Sequence, residues 1–246
     1  MMKAITIGRR ELSSYFYSPI AYVAMGLFLF AAGFSFWDDF QPGQPAVMRA
    51  IFEHMVWLLV FVIPILCMGL LSQEWATGTI ETLMTAPLEE TQVVLGKFLG
   101  SLAFFIVLLA PTLLYVVMLR IYSQPDYGPI FSGYLGLLLV GALFIAMSLF
   151  CSSLTRSQVV AAVASAAILL ITSIVPWYAS SRATLSGFWR KAADQGVLNH
   201  YSDFSKGVID TGNLVFFVAA TVVFLFLRKS ARIPAMEMNL TANARR

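Results

Sequence analysis

The chain alternates between long uncharged apolar runs and short polar connections. A helix that crosses the hydrocarbon core of a bilayer needs about 20 mostly apolar residues. Six runs meet or approach that length: Ile20–Trp37, Met55–Leu71, Phe98–Leu119, Ile130–Phe150, Val159–Tyr178 and Leu214–Leu227. The second and last are short as written and lengthen through their flanks. The pattern predicts an all-α integral membrane fold with six transmembrane helices over residues 20–228. Residues 1–19 read as an interfacial helix, because Ile5, Leu12, Tyr15 and Phe16 share one face and Lys3, Arg10 and Ser14 lie opposite. Pro19 then stops that helix and turns the chain into the first span.

Lysine and arginine placement gives the orientation. Six spans put Lys3, Arg9, Arg10, Lys97, Arg156 and the cluster Arg228, Lys229, Arg232, Arg245 and Arg246 on one side. The other side holds Arg49, Arg120, Arg182, Arg190, Lys191 and Lys206. The positive-inside rule therefore places both termini in the cytoplasm, with residues 229–246 as a cytoplasmic tail. On the outside, residues 179–213 mix charges with Phe188, Trp189, Tyr201 and Phe204. Such a segment is expected to re-enter or lie on the membrane surface as short amphipathic helices.

Composition agrees. Hydrophobic residues make up 59% of the 246 and charged residues 12%, against about 25% charged in soluble domains. The first residues are too polar for the core of a cleavable signal, so the first run reads as a retained span. Cys67 and Cys151 read as two small buried residues, with neither metal-ligand spacing nor a disulfide framework.

The six runs contain no Asp, Glu, Lys, Arg or His. Ion-coupled transporters and intramembrane hydrolases carry such groups at depth. The energy for any transport must therefore come from elsewhere. The chain has no phosphate-binding G-x-x-x-x-G-K-[ST] loop and is not expected to be an enzyme. Gly96 and Gly100 form a GxxxG at the foot of the third span, and Ala161, Ala162, Ser165 and Ala166 set small residues on the fifth; both predict close helix packing. Pro64, Pro111 and Pro176 are candidate kinks.

The most informative connection is the polar segment after the second span, residues 74–90. From Ser72 to Lys97 it holds four Glu and one Lys. Ile80, Leu83 and Met84 line one face of a short helix that starts at Thr77-Gly78-Thr79 and ends at Pro87. An apolar stripe flanked by carboxylates suits docking in a protein groove better than rest on an anionic leaflet.

The order Glu74, Gly78-Thr79-Ile80-Glu81, Leu83, Pro87 and then Leu95-Gly96-Lys97 resembles the coupling segment of the type-2 ABC exporter permeases. His200-Tyr201-Ser202-Asp203-Phe204-Ser205-Lys206-Gly207-Val208-Ile209-Asp210 resembles the segment before the last span in the gliding-motility and nitrous-oxide-reductase-maturation subgroup. The resemblance implies a permease subunit of a bacterial inner-membrane transporter, working with two copies of an ATP-binding subunit and a second permease chain, identical or a sister. ATP and Mg would be held by the partner, with no cofactor on this chain and no nucleic acid. It further implies that the helix from Gly78 to about Thr85 is a cytoplasmic coupling helix inserted into the ATPase. The second and fifth spans would line the path between subunits. Glu74 and Glu81 are the candidates for polar contacts to the ATPase, Gly78 would permit close approach, Leu83 would fill the groove and Pro87 would fix the exit; Thr79 and Ile80 complete the coupling set. The competing expectation is a membrane anchor that transmits force from an ATPase to an envelope machine.

Overall fold

The computed structural model describes residues 2–39, 48–77, 90–122, 125–180 and 196–243. These residues are almost wholly helical: α1 (Met2–Tyr17), α2 (Pro19–Asp39), α3 (Arg49–Cys67), α4 (Gly69–Thr77), α5 (Glu90–Leu109), α6 (Leu113–Tyr122), α7 (Tyr127–Leu154), α8 (Gln158–Ser180), α9 (Val197–Ser205) and α10 (Thr211–Asn243). Five helical stretches are long and apolar enough to cross a membrane: Pro19–Asp38, Arg49–Thr77, Thr91–Tyr122, Tyr127–Leu154 and Gln158–Pro176. The apolar part of α10, Thr211–Leu227, is shorter. The protein is thus an all-helical, multi-pass membrane protein.

Helix α7 is the axis. Its most apolar window is 72% buried, against 28% for α2 and 22% for α8, which leave most of their apolar surface outward. The reason lies in its sequence. Gly133, Gly136 and Gly141 leave hollows that are filled by Phe52 of α3, by Tyr201 and Phe204 of α9, and by Phe105 of α5. Without water in the bilayer core, association of spans depends on this fit of small residues to large ones. Helix α3 packs between α7 and α2, while α8 and α10 lie against other faces of α7.

Prolines act differently from one another. Pro64 and Pro176 sit within α3 and α8. Pro111 instead falls in a 3-10 turn, Ala110–Thr112, that joins α5 to α6. The Thr112 hydroxyl satisfies the Leu109 carbonyl there at 2.6 Å. Beyond the turn, the Tyr115 hydroxyl donates to the Leu29 carbonyl at 3.1 Å and its ring stacks on Phe36, which ties α6 to α2.

The N-terminal helix packs one side on the bundle and leaves part of its apolar face outward. Ala4, Gly8 and Tyr15 are buried and Leu12 half-buried, whereas Ile5 and Phe16 point outward. Helix α1 packs on the foot of α5, where small residues permit the closest approach. Helix α1 ends at Tyr17, and Pro19 opens α2, a position where the missing N–H costs nothing.

Candidate functional site

The polar chemistry of the bundle gathers at its two ends. At one end α1, α4, the foot of α5, the end of α7 and the start of α8 come together. Gly96 and Gly100 do pack closely, and their partner is α1. A Cβ on Gly96 would stand 2.9 Å from the Ala4 carbonyl oxygen, and one on Gly100 would stand 2.8 Å from that of Gly8. Gly8 returns the fit, with a Cβ position 3.1 Å from the Gly96 carbonyl oxygen. Three glycines thus bring two backbones into contact.

That contact carries a buried lysine inward. Lys97, one residue past Gly96, has a side chain only 3% exposed. Its ammonium lies 2.6 Å from Glu11 Oε1 of α1 and 2.7 Å from Glu74 Oε1 of α4. One cation therefore joins three helices and faces two carboxylates. An ammonium has three donors in a compact head, so it can hold two carboxylates at once. The Ser101 hydroxyl, one turn on, donates to the Lys97 carbonyl at 2.9 Å. The Tyr15 hydroxyl lies 3.0 Å from Ser101 Oγ and 3.3 Å from the Leu66 carbonyl. Its ring stacks on Phe104 at 4.7 Å. Burial holds the Tyr15 phenol well above its ordinary pKa, so it remains a neutral donor. A cavity of about 570 Å³ opens beside this cluster, lined in part by Arg10, Glu11, Gln73, Glu74, Lys97 and Gln158.

Helix α4 follows α3 through Met68, whose backbone keeps helical dihedrals, φ -56° and ψ -38°. Ser152 of α7 braces this junction. Its hydroxyl donates to the Met68 carbonyl at 3.0 Å and lies 3.2 Å from the amide nitrogens of both Leu71 and Ser72. The Ser72 hydroxyl donates to the same Met68 carbonyl. Helix α4 then runs to Thr77, whose hydroxyl donates back to the Gln73 carbonyl at 2.9 Å.

Of the residues singled out from sequence, Glu74 stands on α4 with its carboxylate on Lys97. Gly78, Thr79, Ile80, Glu81, Leu83 and Pro87, with the helix expected from Gly78 to about Thr85, lie outside the described residues. On α8, Ala161 and Ser165 are buried while Ala162 and Ala166 are half-buried. Cys67 and Cys151 are buried free thiols. Sequence reasoning treated Lys97 only as part of the Leu-Gly-Lys motif opening the third span. It did not find the Glu11 and Glu74 partners or the role of Ser152. The one available signal was a lysine inside a GxxxG at the start of an apolar run.

The opposite end is built around α9. This helix buries Val197, Tyr201, Phe204 and Ser205. Ser132 of α7 donates to the Phe204 carbonyl at 2.7 Å. Gly207, at φ 92°, closes the helix: the Val208 amide donates to the Asp203 carbonyl and the Gly207 amide to that of Phe204. Asn213 of α10 donates to Asp203 Oδ2 at 3.0 Å and meets His200 Nδ1 at 2.6 Å. The His200 ring stacks on Phe216 at 4.3 Å. The part of the expected surface segment that precedes α9, residues 181–195, lies outside the described residues.

A multi-pass helical bundle whose ion pairs, among the described residues, lie at its two ends, with small residues at its helix contacts, defines a membrane-domain protein. The pattern of the ABC-2 family transporter protein family matches residues 13–188, and the chain belongs to that family. No curated protein matches the chain.

Proposed function

We propose that the chain is the transmembrane permease subunit of an ATP-binding-cassette transporter in the bacterial inner membrane. In this reading it has six spans with both termini cytoplasmic, and α10 supplies the sixth. Two permease chains, identical or sister, pair with two ATP-binding subunits, which hold ATP and Mg. The segment 74–90 is the coupling segment, with the helix from Gly78 to about Thr85 docked on the partner. Glu81 and Leu83 make the polar and apolar contacts. The resemblance of His200–Asp210 supports a place in the gliding-motility and nitrous-oxide-reductase-maturation subgroup.

The observation that carries this reading is the family match over residues 13–188, which takes in the first five spans and the polar segment between the second and third. The bracing of α4 by Lys97 and Ser152 supports it, since a docking segment can move spans only if its root is fixed to them. Docking free energy must also differ between nucleotide states of the partner, or no work is done.

The test is affinity purification of the tagged chain from its native membrane, with an ATPase assay on what co-purifies. A stoichiometric ATP-binding subunit, lost with Glu81→Lys and with Leu83→Asp, is the expected outcome. A chain that inserts normally yet brings down no ATP-binding subunit, even after crosslinking from the 78–85 region, would overturn the assignment.

A further inference from the structure

Helix α4 continues α3 through Met68, whose backbone keeps helical dihedrals, and ends at Thr77. Three features hold it to its neighbours. Ser152 fixes the Met68 junction to the central helix. Lys97 ties the arm to α5 and, with the same ammonium, ties α5 to Glu11 of α1. The glycine contact of Gly8, Gly96 and Gly100 then lays α1 directly on α5. Only Ser18 separates α1 from α2. Helix α2 is 28% buried, so it can shift against lipid with little loss of internal packing, while α7 at 72% is held on all sides.

We infer that Lys97 is the positioning residue that makes α1, α4 and the foot of α5 one mechanical body, so that displacement arriving at Thr77 is delivered through Glu11 to α1 and the first span. Without the clamp the same displacement passes only along α4 into α3. In this assignment Glu74 acts within the chain, through Lys97, and the partner is met by the residues beyond Thr77. The charge arrangement favours a clamp over two independent pairs. The two carboxylates repel each other, and the single buried cation between them makes each arm depend on the other. The lever rests on the proposed function; the clamp does not.

Distance measurement between nitroxide labels tests both. Ser13 of α1, Ala76 of α4 and Ser157 before α8 are exposed and accept labels as Ser13→Cys, Ala76→Cys and Ser157→Cys in a Cys67→Ala, Cys151→Ala background. In the isolated chain the 13–76 distance distribution is expected to be narrow. It should broaden in Glu11→Gln and Lys97→Met and stay narrow in Lys97→Arg, which keeps the charge. Glu11→Gln guards against misfolding, because it leaves the Lys97–Glu74 pair intact. Equal widths in all variants would overturn the clamp. In the complex with the ATP-binding subunit, nucleotide should shift the 13–157 and 76–157 distances together. In Glu11→Gln the 13–157 shift should be lost while the 76–157 shift remains. Movement of position 76 without position 13 in the unsubstituted complex would overturn the lever. Absence of any ATP-binding subunit would overturn the proposed function and the lever with it, while the 13–76 widths in the isolated chain still decide the clamp.

Discussion

At the residue scale, glycine does the work usually credited to larger side chains. Gly100 faces the backbone oxygen of Gly8, which cannot turn aside as a flexible side chain would. Gly100→Ala must push α1 off α5 and is expected to cost about 1–3 kcal/mol, the usual range for overpacking. Gly26 on α2 provides the control. Nothing lies within 4 Å of its Cβ position. Gly26→Ala should be neutral or stabilising by up to about 1 kcal/mol, the helix-propensity difference. Thermal unfolding of the two variants in the same detergent separates the effects, and equal midpoints would contradict the packing described. The sequence reveals Gly96 and Gly100 as a packing motif because their spacing is local. It does not reveal Gly8 as the partner, or Glu11 as the lysine's counter-ion, because Glu11 and Lys97 are 86 positions apart and only the folded chain brings them together. Ile5 and Phe16 carry the apolar pattern of α1 and point outward, while Ala4 and Gly8 take the protein side. The pattern marks apolar positions and does not tell which of them meet protein.

At the element scale, the α3–α4 junction at Met68 and helix α9 are both stitched by polar side chains from neighbouring helices. Ser152 meets one carbonyl and two amides at the α3–α4 junction. Ser152→Ala should cost about 1–3 kcal/mol, the penalty for leaving buried polar groups without partners. Faster amide exchange at Leu71 and Ser72, with little change in the middle of α7, would mark the loss as local. Unchanged exchange there would remove Ser152 from its assigned role. Tyr15 and Tyr201 give a pH signature at the two ends. Burial raises both phenols well above the ordinary value of 10.0, and for Tyr201 the nearby Glu53 charge adds to it. The sign follows from linkage. Unfolded phenols ionise near 10, whereas the folded ones keep their protons to higher pH. Their contribution is therefore constant at neutral pH and is lost as pH rises from about 10 through the raised folded values. Stability against pH should be flat through neutrality with respect to these groups and fall steeply in alkali. The fall should be shallower in Tyr201→Phe, and an identical alkaline slope in that variant would contradict the buried, neutral phenol.

At the scale of the whole molecule, the decisive quantity is the number of crossings, because it sets which side each end occupies. Five stretches qualify on length and hydropathy, and the question falls on Thr211–Leu227. Seventeen helical residues span about 25 Å at 1.5 Å each, a few ångströms short of a core of about 30 Å. Such a deficit is met by local thinning of the bilayer or by lysine and arginine reaching back to the interface, each at modest cost. Helix α10 continues without interruption to Asn243, and Arg228, Lys229 and Arg232 follow its apolar part at once. The packing of α10 along α7, with Phe217 fully buried and Phe224 against Phe150, sets its apolar part beside the central span. This packing supports the proposed sixth crossing, with both termini on one side. Labelling of Ser13→Cys and of Ala242→Cys, in a Cys67→Ala, Cys151→Ala background, with an impermeant maleimide reads this directly. Both should be blocked in right-side-out vesicles and both should react in inverted ones. Opposite accessibility of the two positions would mean five crossings and would overturn the proposed arrangement, in which the N-terminal helix, the 74–90 segment and the tail share one face.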